Sequence, residues 1–157
     1  MPTYASLSDL NQFFSAANVT DWADRDRDGS VNLDEQLTVE AGIEASEAMI
    51  DAYLRKGGYA APFDPAAHAA LPPRLRALLK QWTVIITGYY LHAWRGLRDK
   101  VNPFDALYRD ALSQLTAVAR GRPLADLARQ SNVTFGTGQS TKPTDNLAAL
   151  KADGWNW

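Results

Sequence analysis

Residues 72–94 read PPRLRALLKQWTVIITGYYLHAW, and whether this run is helix or strand decides the fold class. Its centre, Thr83 to Thr87, favours a strand locally, because β-branched side chains lose rotamer freedom in a helix and pack well on a pleated surface. Yet Leu75, Leu78, Leu79, Trp82, Ile85, Ile86 and Tyr89 recur at helical spacing on both sides of that centre, over a length that few strands reach. Pro72 and Pro73 stand where a helix can begin, since the first turn has N–H groups with no intrahelical partner to lose. The run is therefore read as a helix. Its most apolar part, Trp82 to Trp94, carries Thr, Gly and His and is shorter than the roughly 20 residues that span a bilayer, so it predicts a buried helix and no membrane partner.

The segments on either side follow the same period. Ser6 caps a first helix with Asp9 at its third position, and Leu10, Phe13, Phe14 and Ala17 trace its apolar face to an end near Asn18. A further turn is expected from Thr20 through Trp22. Asn32 and Glu35 form a second capping box, and the helix they start runs to the stop at Gly57-Gly58. On it, Leu37, Ala41, Ala45, Ala48 and Ala52 mark one stripe and Ile43, Ile50 and Leu54 another, which predicts neighbours on two sides. Residues 59–73 hold three proline sites and read as an ordered loop. A last helix is capped by Asn102, has Pro103 in its first turn, carries Phe104, Leu107, Tyr108, Ala111, Leu112, Leu115, Val118 and Ala119 as a stripe, and ends at Gly121. A short apolar piece, Leu124 to Ala128, adds a turn. The fold class is thus all-α, a small bundle of about four helices with an extended C-terminal tail.

After Arg129 the periodicity stops. Residues 130–146 are rich in Ser, Thr, Gly and Asn and predict a mobile arm, whereas Leu147, Leu150, Trp155 and Trp157 are large apolar groups with no core of their own. Two units follow: a helical domain at 1–129 and a flexible arm for partner docking at 130–157.

The chain has 157 residues, 46% hydrophobic, enough for a core. Sixteen basic and eighteen acidic side chains nearly cancel, which leaves no overall field for coating nucleic acid or an anionic membrane. Without cysteine there are no disulfides, thiolate metal sites or cysteine nucleophiles, and the start MPTYASLSDL has no signal-peptide pattern, so synthesis is expected in the cytosol.

Asp24 to Glu35, DRDRDGSVNLDE, has the spacing of an EF-hand loop, whose ligands come from positions 1, 3, 5, 7, 9 and 12 with Gly at 6. Those positions are Asp24, Asp26, Asp28, the carbonyl of Ser30, Asn32 and Glu35, with Gly29 at the turn. Alternating aspartates on a curling chain bring hard oxygens to one point, which suits Ca²⁺ better than the smaller octahedron of Mg²⁺. The plain alternative is a tight acidic turn, because Asp and Gly are turn residues and Asn32 and Glu35 already cap a helix. The flanking NVTDWA makes only a turn or two of helix, and no second loop pairs with this one.

Little else points to chemistry. His68 lies in an alanine-rich stretch and His92 in an aromatic helix, and two histidines without cysteine assemble neither a zinc site nor a nucleophilic triad. Gly136 to Ser140, GTGQS, lacks the lysine of a phosphate loop. Arg120-Gly121-Arg122-Pro123 resembles minor-groove arms but reads more simply as a helix C-cap between favourable charges. Arg74, Arg76, Lys80, Arg95, Arg98 and Lys100 would line a channel, and equally make a solvated surface.

Taken in order, LSDLNQFF (7–14), DRDGS (26–30), EASEAMIDAYLRKGGY (44–59), LPPRLRALLKQWTVIITGYYLH (71–92) and FDALYRDALSQLTAVARGRPL (104–124) resemble the small neck proteins of Mu-like phages and prophages. The resemblance covers residues 3–124 and leaves the tail outside. It implies a helical bundle without enzyme activity that requires no cofactor. It also implies a homo-oligomeric ring of twelve copies beneath the portal protein, joining the DNA-filled head to the next neck or stopper protein or to the tail, with DNA only as passing cargo. Such a protein assembles in the host cytoplasm and resides in the virion neck. A complete calcium-loop match is more than that role requires. The alternative is a single EF-hand-like calcium-binding regulatory protein, carried by the loop alone.

Overall fold

The computed structural model describes residues 3–95 and 102–124. Six helices occur among them: α1 (Leu7–Phe14), α2 (Ala16–Ala23), α3 (Leu33–Lys56), α4 (Pro65–Ala70), α5 (Pro73–Trp94) and α6 (Asp105–Ala119). There are no strands among the described residues, so the fold is all-α.

Residues 73–94 are one helix despite the β-branched centre. From Trp82 to Gly88 every side chain is buried, so α5 is covered on all sides, which is what a helix apolar all round requires. The threonines in it are satisfied within the helical pair: Thr83 Oγ1 donates to the Leu79 carbonyl at 3.0 Å, and Thr87 Oγ1 donates to Ser46 Oγ of α3 at 2.9 Å.

Contacts between three pairs of helices fix the topology. The Ser46–Thr87 bond, together with the fit of Gly42 against the Trp94 ring, sets α3 antiparallel to α5. Trp82 Nε1 donates to Gln114 Oε1 at 3.1 Å and Tyr89 stacks on Tyr108 with ring centroids 3.9 Å apart, so α6 is antiparallel to α5. The end of α3 meets the end of α6, where a Cβ on Gly57 would lie 2.7 Å from the Val118 carbonyl oxygen. Tyr59 and Leu124 close this end, the Leu124 N–H donating to the Tyr59 hydroxyl at 2.7 Å.

Both capping boxes, Ser6 with Asp9 and Asn32 with Glu35, are formed. Both glycine stops are Schellman motifs. Gly58 (φ +84°) donates to the Arg55 carbonyl and Tyr59 to Leu54; Gly121 (φ +103°) donates to Val118 and Arg122 to Ala117. Arg120-Gly121-Arg122-Pro123 is thus a helix C-cap.

The structure departs from the sequence expectation in four places. The last helix begins at Asp105, not at Pro103: Asn102 and Pro103 lie in the turn before it, where Asn102 Oδ1 accepts from the Phe104 N–H at 2.9 Å, and no side chain caps α6. The first helix stops at Phe14, not near Asn18, because Ser15 takes φ +71° and then caps α2, accepting from the Asn18 N–H at 3.4 Å. The break turns Phe14 and Trp22 toward one another, with centroids 5.1 Å apart. Within the expected loop, Asp64 accepts from the Ala67 N–H at 2.7 Å and Pro65 takes the first position, giving the short α4. On α3 the stripe of Leu37, Ala41, Ala45, Ala48 and Ala52 faces outward, and Val39, Ile43, Ser46, Ile50 and Leu54 make the core. Among the described residues of the protomer nothing covers these alanines.

Candidate functional site

The acidic loop links α2 to α3. Asp24 caps the end of α2 and is buried, while the following residues curl around it through left-handed conformations at Arg27 (φ +64°) and Gly29 (φ +86°). Asp24 Oδ1 accepts from the Arg27 N–H at 2.5 Å and the Asp28 N–H at 3.2 Å, and Oδ2 from the Gly29 N–H at 2.8 Å. Asp28 Oδ1 accepts from both the N–H and the hydroxyl of Ser30. Asp24, Asp26 and Asp28 each offer a carboxylate oxygen, and these oxygens lie within 4.8 Å of one another.

Glu35 has a different task. It is buried, its Oε1 accepting from the Arg25 N–H at 2.5 Å and its Oε2 from the Asn32 N–H at 3.0 Å, while Asn32 Oδ1 accepts from the Glu35 N–H at 3.1 Å. The six residues read as ligands therefore divide. Three aspartates converge, the Ser30 hydroxyl donates to Asp28, and the side chains of Asn32 and Glu35 close the start of α3.

The converging carboxylates perturb one another. Burial opposes it, but the N–H groups of Gly29, Arg27 and Asp28 hold the Asp24 carboxyl below the usual range. Asp26 moves the other way: the Asp28 N–H favours its charge, yet burial and the carboxyls of Asp24, Asp28 and Glu35 push it up. Such a cluster attracts a proton or a cation.

Beside the loop, α2, α3 and α5 enclose a pocket of about 290 Å³ lined by Trp22, Val39, Leu91, Trp94, Arg25 and Arg95. Trp94 is 51% exposed at its mouth, next to Leu37 at 53% and Ala41. Leu33, one turn before Leu37, is 71% exposed. Arg95 pairs with Asp21 at the base of the same region.

A second polar site was not expected from the sequence. Glu47 on α3 gathers the N–H groups of Thr3, Tyr4 and Ala5, the Tyr4 bond being 2.6 Å, and the Tyr4 hydroxyl donates to Asp51. Burial first, then the bond to Asp51, pushes the Tyr4 hydroxyl pKa up, so it stays a donor. Glu47 and Asp51 stand one turn apart on the buried face of α3; acidic groups within an apolar stripe were the available signal. The site clamps the N-terminal arm onto α3.

Leu147, Leu150, Trp155 and Trp157, read as docking anchors, lie outside the described residues, as do Arg98 and Lys100. No described helix is long and apolar enough to cross a membrane.

No curated protein and no solved structure matches the chain. The family described as Bacteriophage Mu, Gp36 does match, over residues 4–141, a span that takes in every helix above and runs past Leu124 into the stretch left outside the sequence resemblance. With most of its length matched, the chain belongs to the Bacteriophage Mu, Gp36 family of phage proteins.

Proposed function

We propose that this phage protein is a structural, non-catalytic component of the virion neck, a head-tail adaptor. Copies form a ring beneath the portal, and the ring joins the DNA-filled head to the next neck protein or the tail. The observation that carries the reading is the uncovered outer stripe of α3: Leu33, Leu37, Ala41, Ala45, Ala48 and Ala52 run along the helix, with Trp94 beside its head. Small side chains let a neighbouring helix approach closely, and exposed Leu and Trp supply anchors of the kind that dominate interfaces. Membership of a Mu phage family supports the same reading.

Negative-stain imaging and light scattering of the protein, alone and with the portal, test it. Rings on the portal are expected, and Ala45→Glu should abolish them while leaving the monomer's melt intact. A protein that stays monomeric with the portal present would sink the proposal. Deleting residues 147–157 should leave the melting temperature nearly unchanged and remove attachment to the portal. A large loss of stability would place those tryptophans in the protomer's own interior.

A second reading, a Ca²⁺ site in the loop, is favoured by the convergence of Asp24, Asp26 and Asp28. Bound Ca²⁺ would brace the corner that launches α3. Melts in EDTA and in millimolar Ca²⁺ decide it, since ligand at 100 times Kd adds about 2.7 kcal/mol. Equal melting temperatures in the two, for the native chain and for Asp26→Asn, would remove the metal.

A further inference from the structure

The fold sorts cations that the sequence left mixed. Lys80 pairs with Asp9 at 2.7 Å and Arg95 pairs with Asp21, which leaves, among the described residues of that set, Arg74 and Arg76 at the start of α5. Because α5 runs antiparallel to both α3 and α6, and Gly57 abuts the Val118 backbone, the start of α5 shares one end of the bundle with the ends of α3 and α6. Arg55, Lys56, Arg120 and Arg122 therefore join Arg74 and Arg76 there, though these residues are scattered along the sequence. Among the described residues none of these six makes an ion pair. Asp51, one turn before Arg55 and within reach of its charge, is buried beneath the Tyr4 hydroxyl, and Asp110 borders the same groove as Arg122.

The far end, about 36 Å away along the 24 residues of α3, carries six carboxyls, Asp21, Asp24, Asp26, Asp28, Asp34 and Glu35, against three cations, Arg25, Arg27 and Arg95. A net charge of −2 thus conceals a molecule with a basic end and an acidic end. Helix stability explains part of the basic end, since Arg55, Lys56, Arg120 and Arg122 sit at negative C-termini. It does not explain Arg74 and Arg76, which occupy the positive N-terminal turn of α5, where cations are disfavoured. Next to Arg120 and Arg122, the outer face of α6 adds an open groove in which the Ser113 and Thr116 hydroxyls stand among arginines. These are the groups that bind phosphate oxygens.

We infer that this basic end is a binding face for the phosphate backbone of double-stranded DNA, read without regard to base sequence. An anionic membrane would need an apolar wedge beside the charges. The large exposed apolar side chains among the described residues, Phe13, Leu33, Leu37, Trp94 and Leu107, all lie away from this end. In orientation the inference rests on the proposed neck assembly: within a ring, the basic end faces the channel.

Fluorescence anisotropy of a labelled random duplex of about 24 base pairs, titrated with the full chain at 50 and 200 mM salt, tests the face. Affinity should fall about 10²- to 10³-fold between the two salts, the response of four to six neutralised phosphates. Arg120→Gln with Arg122→Gln should lower the salt slope by about two, and Arg74→Gln, remote from the helix C-caps, by about one. Arg25→Gln with Arg27→Gln, at the acidic end, should leave it unchanged, with thermal melts verifying that each variant folds. No binding at 50 mM salt, equal loss in the Arg25/Arg27 variant, or tighter capture by phosphatidylglycerol vesicles than by duplex would each overturn the inference. Sedimentation of the same samples separates the two proposals. Rings that ignore DNA overturn the basic face alone, and DNA binding by a permanently monomeric chain upholds the face while removing the ring.

Discussion

At the basic end of the bundle, Ile50, Leu54, Leu79, Trp82, Ile86 and Leu115, from helices of 15 to 24 residues, fill the interior together with Tyr4, Tyr59 and Phe63. At the acidic end α3 and α5 are covered by α1 and α2, eight residues each, and Phe14, Trp22 and Phe104 form a compact aromatic knot beside Leu10, Val39 and Ile43. Phe14 meets Trp22 and Phe104 edge to face at 5.1 and 4.8 Å. A helix of eight residues has little stability of its own, so it is held by the few side chains it buries. Long helices distribute the same task over many contacts. The acidic half should therefore depend on a few aromatic contacts and the basic half on none in particular.

The sharpest way to break that contrast is Phe14→Ala against Leu79→Ala. Emptying the Phe14 site should cost about 3–5 kcal/mol, while Leu79→Ala should fall in the lower part of its roughly 2–5 kcal/mol range. Urea unfolding reads both, and a larger loss at Leu79 would reverse the argument.

Glycines extend it. A Cβ on Gly88 would come 2.4 Å from Phe14 Cε2, inside the tightly held aromatic cluster, so Gly88→Ala should cost about 1–3 kcal/mol. At Gly42 the nearest atom is Trp94 Cζ3 at 3.3 Å, on a half-exposed ring that can swing aside, and alanine gains about 0.5–1 kcal/mol of helix propensity. Gly42→Ala should therefore change stability by less than about 0.5 kcal/mol. Melts showing equal effects at the two positions would sink this account.

At the basic end, Gly58 holds φ +84° with open space around it, so Gly58→Ala should cost about 1–2 kcal/mol through backbone strain alone. Chemical denaturation checks it. A loss well beyond that would mean that this cap is also a packing site.

The smallest expected effect concerns pH. His92 is buried against Trp22 and Phe104; burial, then Arg95 nearby, lowers its pKa against the pull of Asp21. The folded state holds the imidazole neutral, so its contribution is present above the unfolded value near 6.5 and is lost as pH falls through the lower folded value. His68 is lowered in the same direction, while Asp51, raised chiefly by burial, favours the fold at lower pH. Comparing His92→Gln with the native chain isolates the histidine. The native melting temperature should drop further than the variant's between pH 7 and 5. Parallel pH curves would show that the acidic half tolerates the charge.

The long helices were legible because each local signal agreed with its neighbours. Capping boxes, the Pro72-Pro73 start and the Gly57-Gly58 stop are short-range devices, and the structure has them all. The break at Ser15 was not, since FFSAAN reads as continuous helix and only the demand that Phe14 and Trp22 share one pocket reverses the chain there. Burial of Glu47 and Asp51 depends on a partner more than forty residues away, the arm at Thr3–Ala5. Alanines on α3 misled because the residue that best favours a helix is also small enough to pack. In the acidic loop the spacing was plain, but only the fold shows that both Glu35 oxygens already hold backbone N–H groups. The basic end was invisible, because its charges gather only when three helix ends meet.

That meeting point limits how sequences of this kind can change in length. With 2.7 Å between a would-be Gly57 Cβ and the Val118 oxygen, α3 and α6 touch backbone to backbone and neither can slide along the other. A single residue inserted within either helix would rotate everything beyond it by about 100° and carry this contact off the seam. Insertions and deletions among family members should therefore collect in the connection from Tyr59 to Pro72, and α3 and α6 should keep their length even where their surface residues drift.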